Sequence, residues 1–364
     1  MEKLPIMRLA DCIAGRDNNF NLIRIIAAYG VLVSHSYPLA LGPGVIEPPG
    51  EWIGMSFGSI AVDIFFIASG FLVTGSLLAR QDTAGFLWAR ALRIFPALFV
   101  MLILTVGSLG LLFSTVPANE FFTDPVTRKY FWRCLTLING VKYELPGVFT
   151  DNPYANAVNG SLWSMRYELR LYLILALLWV ALRMAGAYRL QAFRIMVIIG
   201  AVSCGALMFA SRFGALETTD IFHRLGFMFF SGGSFYIMRN HIVLSNKAAL
   251  MLAALFITAA IAGFDAFFVA YNLGLGYLLL WAAYVPAGPI RRYNAVGDYS
   301  YGVYIYAFPL QQIVAALIPG VTISEMLLLS SLATLACAIL SWHLVEERAL
   351  KLKDRLPRLS AVAA

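Results

Sequence analysis

Asn18-Asn19-Phe20-Asn21-Leu22-Ile23-Arg24-Ile25-Ile26-Ala27-Ala28-Tyr29-Gly30-Val31-Leu32-Val33-Ser34-His35-Ser36-Tyr37-Pro38 is apolar enough to cross a bilayer, yet it carries a guanidinium and an imidazole. Arg24 and His35 lie eleven positions apart. At about 100° per residue they project from nearly the same helix face, separated by roughly 16 Å along the axis. One face thus presents a fixed cation at one depth and a titratable ring at another. Such groups are costly inside a spanning helix and by default mark a ligand or reaction path. The plainer alternative has Arg24 snorkelling to the cytosolic interface and His35 satisfied in the interior.

Working outward, 60% of the 364 residues are hydrophobic and 13% charged, with a mean hydropathy of +0.76. Soluble domains run near half apolar and a quarter charged, so this is an all-α polytopic membrane protein. The net charge of +7 is spread in short groups between apolar spans and forms no single stripe, which argues against nucleic acid. Cys12, Cys134, Cys204 and Cys337 are far apart, without metal-ligand spacing. Neither a disulfide framework nor a metal site is indicated. Residues 1–19 carry Lys3, Arg8, Asp11, Arg16 and Asp17 and no apolar core, so they are expected to be a cytosolic lead-in and not a cleaved signal peptide.

Windows of about twenty residues place spans at roughly 20–41, 54–78, 86–113, 161–183, 194–212, 221–238, 247–264, 267–287, 297–318 and 322–345. Ten spans put both termini on one side. Arg80, Arg183, Arg189, Arg239, Lys247, Arg291, Arg292 and the basic tail within 346–364 (Arg348, Lys351, Lys353, Arg355, Arg358) share that side, which makes it cytosolic. The opposite side has short turns such as Glu217-Thr218-Thr219-Asp220 and one long loop, about 114–160. A connection of that length is usually functional, and its Tyr, Trp and Asn content suits a lid or a carbohydrate-facing surface. The expected organisation is a ten-helix domain over 20–345, flanked by the lead-in and the tail.

Depth adds to this. From a rise of 1.5 Å per residue, His35 lies about 10 Å below the outer face, Asp63 about 14 Å and Glu168 about 10 Å. Three proton-carrying groups on three helices are thus expected to share one level. Arg90 and Arg93 lie three apart, on one helix face, where two guanidiniums can grip phosphate oxygens. Positive-inside decoration would explain Arg90 alone, but Arg93 stands some two turns into the span. With Arg24 they form an expected cationic mouth on the cytosolic side, opening through the bundle onto His35 nearer the outside. Ser69 and Gly70 are small residues suited to close helix packing. In Asn159-Gly160-Ser161-Leu162-Trp163-Ser164, Ser161 is expected to cap the fourth span and Trp163 to anchor it at the interface. His223, Arg224, Arg239 and His241 are expected to be solvated interface residues, His343 an anchor, and Asp298 a cap of the ninth helix with no further role.

These residues resemble a known family, the bacterial membrane O-acyltransferases of acyltransferase family 3. The resemblance spans nearly the whole chain. It rests on Arg24 and His35 with ten residues between them, Val62-Asp63 through Ser69-Gly70, Arg90-x-x-Arg93, Asn159-Gly160-Ser161-Leu162-Trp163 through Glu168, Gly297-Asp298-Tyr299-Ser300-Tyr301-Gly302, and Ser341-Trp342-His343-Leu344-Val345-Glu346. It implies a ten-helix core that moves an acyl group, usually acetyl, from cytosolic coenzyme A to a saccharide hydroxyl. His35 would be the catalytic base. Arg24, Arg90 and Arg93 would handle the acyl donor, and Ser69, Asn159, Trp163 and Tyr167 would support the acceptor or the structure of the site. Members often carry a ninth-helix histidine where this chain has Ala307. Some also carry a fused extracytoplasmic domain, whereas here the membrane unit is expected to act alone or with a separate partner.

The expected mechanism has neutral His35, oriented by Asp63 or Glu168, deprotonating a sugar hydroxyl as it attacks the thioester, and both direct transfer and a transient acyl-enzyme fit. No bound cofactor is expected. Acyl-CoA is the co-substrate, and the expected partners are a saccharide or lipid-linked acceptor, membrane lipid and polysaccharide-assembly proteins, in the bacterial inner membrane. The competing readings are a proton-coupled transporter or flippase, since Asp, Glu and His also build proton relays, and a non-enzymatic export subunit.

Overall fold

A computed structural model describes residues 7–13, 15, 17–216 and 221–355. Lys3, Arg16, the turn Glu217-Thr218-Thr219-Asp220 and Arg358 lie outside the described residues. A helix stands at each of the ten segments picked out by hydropathy: α1 Phe20–Leu41, α2 Phe57–Arg80, α3 Thr83–Leu112, α4 Met165–Ala181, α5 Arg189–Arg212, α6 Ile221–Ile237, α7 Asn246–Ala262, α8 Phe264–Tyr284, α9 Ser300–Leu317 and α10 Ile323–Ser341. Among the described residues six stretches are long and apolar enough to cross a membrane: Phe20–Leu41, Phe57–Arg80, Thr83–Leu112, Ser161–Arg212, Phe264–Tyr284 and Ile323–Lys353. Ser161–Arg212 holds both α4 and α5, joined by the 3-10 segment Leu182–Tyr188.

The helix α2 lies at the centre, with 72% of its apolar window buried against 22% for the stretch containing α10. It packs on α1 and α6; α6 also packs on α5, and α1 on α9, which carries α10. Glycine makes the α2–α6 crossing close. A Cβ on Gly70 would stand 1.8 Å from the Phe229 carbonyl oxygen, and one on Gly232 would stand 2.1 Å from that of Ile67. Such an approach is what small residues at a helix interface allow, so the packing role expected of Gly70 holds.

Several local expectations change. The fourth span does not begin as an α-helix at Ser161. A 3-10 turn occupies Ser161–Ser164, and α4 starts at Met165. The long loop is not free chain either. It forms helices Ala118–Thr123 and Pro125–Thr136, the second capped by the Asp124 carboxylate on the Val126 amide at 2.6 Å. Its later part is tied to α9. Asn152 Nδ2 donates to the Gln312 carbonyl and Oε1 at 2.9 and 2.8 Å, and Gln312 Nε2 returns bonds to the carbonyls of Tyr154 and Ala157 at 2.8 and 2.5 Å. Burial in this loop pushes the Cys134 thiol up to about 12, which leaves it a packing residue and no nucleophile.

Candidate active site

Two cavities lie along the same face of α1. The first, of about 420 Å³, is lined by Arg24 from α1, Ser69 from α2, Arg90 and Arg93 from α3, Glu168 and Tyr172 from α4, and Asp298 just before α9. The second, of about 450 Å³, is lined by His35 and Pro38 from α1, Tyr143, Glu144 and Tyr154 from the long loop, Trp163, and Phe308 from α9. The one-face reading of Arg24 and His35 therefore holds, and the expectation of a single continuous passage between them does not. The turn Ser161–Ser164 divides the cavities: Ser164 lines the first and Trp163 the second. Tyr304 locks this partition, its hydroxyl donating to the Ser161 carbonyl at 2.5 Å and lying 2.7 Å from Ser164 Oγ.

In the arginine cavity the guanidiniums differ in their partners. Asp298 Oδ2 accepts from Arg24 Nη1 at 3.2 Å and from Arg93 Nη2 at 2.6 Å. Its other oxygen accepts from the Ser300 amide and hydroxyl, so Asp298 caps α9 as expected but also clamps two arginines. Arg93 Nη1 reaches Glu346 Oε2 at 3.4 Å, and that buried carboxylate is held by Ser341 Oγ at 2.9 Å. Among the described residues Arg90 has no carboxylate partner. It lies 6.0 Å from the Tyr172 ring centroid, and its buried Nε–H has no acceptor. Its donors are therefore not committed to a carboxylate as those of Arg24 and Arg93 are. Beside it Ser69 Oγ stands 2.7 Å from Tyr172 OH and 3.3 Å from Glu168 Oε1, and the Tyr172 hydroxyl donates to that same carboxylate oxygen.

Around His35 the expected carboxylates are absent. Its ring packs edge-on against Phe308, 5.1 Å between centroids, and its Nδ1 lies 3.5 Å from Ser161 Oγ. Asp63 is fully buried elsewhere, accepting from Arg224 Nη2 at 2.8 Å and the Tyr271 hydroxyl at 3.0 Å. Depth along the axis placed Asp63 and Glu168 with His35. Azimuth turns one toward α6 and α8 and the other toward the arginines. Arg224 is accordingly a half-buried partner of a buried carboxylate and not the solvated interface residue its position at a helix end implied.

The remaining residues separate in the same way. Asn159 is fully buried and structural, with Nδ2 on the Ile305 carbonyl at 2.9 Å and Oδ1 accepting from the Ser161 amide at 3.1 Å. Trp163 lines the His35 cavity instead of merely anchoring an interface, and its ring meets Tyr167 at 6.1 Å. Tyr167 lines neither cavity and carries the Arg166 guanidinium 4.5 Å over its ring. Sequence reasoning passed over Asp298, Glu346, Tyr172 and Ser161. The first and second stood inside quoted motifs as carboxylates beside apolar helix ends, and Tyr172 lies one helical turn after Glu168.

A comparison of the chain with family models matches residues 17–342 to the acyltransferase domain of family 3. The chain belongs to acyltransferase family 3. It is thus an acyltransferase, and every residue of both cavities except Leu350 falls within the matched stretch. Among its relatives, an "O-acetyl transferase" of Shigella phage Sf6 is 31% identical, covering 95% of this chain and 99% of the relative. "Nodulation protein 10" of Rhizobium leguminosarum bv. viciae is 30% identical over 94% of this chain and 96% of its own length. No solved structure gives a significant match.

Proposed function

We propose that this acyltransferase spans the bacterial inner membrane ten times with both termini cytosolic, and moves an acetyl group from cytosolic acetyl-CoA to a hydroxyl of an envelope or exported saccharide. The observation that carries the reading is the segregation of the three guanidiniums and the imidazole into separate cavities along α1. A phosphate-bearing donor needs the first chemistry, because guanidinium donors match phosphate oxygens in charge and geometry. A sugar acceptor needs the second, where Tyr143, Tyr154 and Trp163 offer aromatic faces and His35 a proton acceptor. The name of the phage relative, an O-acetyl transferase, supports the choice of acetyl.

In this reaction His35 acts as general base. In the tautomer protonated on Nδ1, which sets that atom toward Ser161 Oγ at 3.5 Å, the ring keeps its Nε2 lone pair for the acceptor hydroxyl. The role expected of Asp63 or Glu168 in orienting the ring passes to Ser161. The arginines hold the donor, and the partition at Ser161–Ser164 must open or be bypassed for the acyl group to reach the acceptor.

The test is release of free CoA from acetyl-CoA by the purified protein in nanodiscs, with and without envelope saccharide, joined to mass spectrometry of envelope polysaccharide from cells with and without the gene. Saccharide-dependent release with matching loss of O-acetyl groups supports the reading. Absence of both, together with proton-driven flux of saccharide in proteoliposomes, would overturn it in favour of a transporter.

A further inference from the structure

Separate cavities leave a step unaccounted for: the acyl group must leave the thioester where His35 is not. The arginine cavity contains its own nucleophile and base. Ser69 Oγ lies 2.7 Å from Tyr172 OH and 3.3 Å from Glu168 Oε1, both within proton-transfer reach. Arg90 lines the same cavity with its guanidinium 6.0 Å from the Tyr172 ring centroid, and its buried Nε–H has no acceptor. A hydroxyl, a carboxylate that can take its proton and an unsatisfied cationic donor around one void are the parts of an acyl-transfer site. Ser69 is also fixed in place. The next residue, Gly70, presses its backbone against the Phe229 carbonyl, which leaves α2 no room to shift or rotate there. No cysteine lines either cavity, so no thiol competes for the role.

We propose that Ser69 accepts the acyl group first and carries it as an ester. Ser69 Oγ forms a bond to the thioester carbonyl carbon while its proton passes, through the Tyr172 hydroxyl, to Glu168. The oxyanion faces Arg90. The C–S bond then breaks and the departing CoA thiolate takes the proton from Glu168, leaving CoA thiol and acyl-Ser69. In the second half the acceptor hydroxyl gives its proton to His35 and attacks the ester carbonyl carbon. The C–Oγ bond breaks as the sugar ester departs, Ser69 Oγ takes a proton through Tyr172 from Glu168, which is reprotonated by solvent reaching the arginine cavity, and His35 gives its proton to solvent on its own side. Because the acyl group stays on Ser69, the partition beneath Tyr304 has to admit only the acceptor hydroxyl, after the coenzyme has left on its own side.

This inference rests on the donor being acetyl-CoA, and the experiment separates the two. Purified protein in nanodiscs is given acetyl-CoA and radiolabelled CoA with no saccharide. Exchange of label into acetyl-CoA is expected, and acid-quenched protein should yield an acetylated peptide containing Ser69. S69A should lower exchange by ~10³-fold or more and E168Q by ~10²-fold, while H35A keeps exchange and loses transfer to saccharide. S69C should restore exchange, with the bound acetyl now removed by neutral hydroxylamine as a thioester would be. Normal saccharide acetylation without exchange or label would overturn the serine carrier and leave the proposed function standing. Exchange that survives in S69A, or label found on His35, would also overturn it. Failure to consume acetyl-CoA even with saccharide would remove both.

Discussion

The two cavities are nearly equal in volume, about 420 and 450 Å³, and opposite in chemistry. One is a charged knot in which Asp298 and Glu346 hold Arg24 and Arg93 in fixed positions and Arg90 is left over. The other has aromatic walls around one imidazole, with Glu144 as its only carboxylate. Charge inside a bundle is tolerable only when paired. The unpaired guanidinium and the lightly partnered imidazole are therefore the places where each cavity is incomplete without a ligand.

The sharpest break between the two should come from H35A. Saccharide acetylation should fall by ~10³-fold or more, the scale of losing a general base, while the affinity for CoA, measured by calorimetry in detergent, stays unchanged. Equal loss of CoA affinity would merge the cavities into one functional unit.

Next in size is a change that touches neither cavity. D63N removes the carboxylate that pairs with the half-buried Arg224, which keeps only the Ser59 carbonyl, at a cost of about 1.5–3 kcal/mol. A lowered thermal midpoint with an unchanged KM for acetyl-CoA is expected. A selective loss of turnover at full stability would return Asp63 to the chemistry.

Within the arginine cavity R90A and R93A should separate. R90A loses charge-assisted contacts to the donor, about 1.5–3 kcal/mol, and so raises KM for acetyl-CoA roughly 10- to 100-fold without loss of stability. R93A should in addition lower the melting midpoint, because Glu346 loses its only ion-pair partner among the described residues. Identical behaviour of the two variants would remove the distinction between free and clamped arginines. The smallest effect expected is that of W163A, a several-fold rise in KM for the saccharide from the loss of about 1 kcal/mol of aromatic contact, with donor kinetics unaffected.

Much of this was legible in order along the chain. The ten helical segments came from hydropathy windows, and α1 matches its expected bounds of 20–41. Arg24, Arg90 and Arg93 were read as one group because a charge deep in an apolar run demands a reason, and they do line one cavity. The grouping of His35 with Asp63 and Glu168 failed because it used rise per residue alone. Rise gives depth, and the side chain's direction depends on which neighbours the helix finds. Arg224 and Asp298 were misjudged for a related reason: each stands near a helix end, where solvation is the ordinary fate, but the facing helices bring an opposite charge to it.

The sequence alone thus determined the helical membrane architecture, the family and the residue types of the chemistry, because hydropathy and the cost of intramembrane charge act position by position along the chain. Only the tertiary structure decided which carboxylate meets which cation, that Ser161 and not Asp63 adjoins His35, and that two cavities stand where one passage was expected. Those outcomes depend on helix azimuth and on close crossings such as Gly70 against Phe229, and these are fixed only when the helices pack.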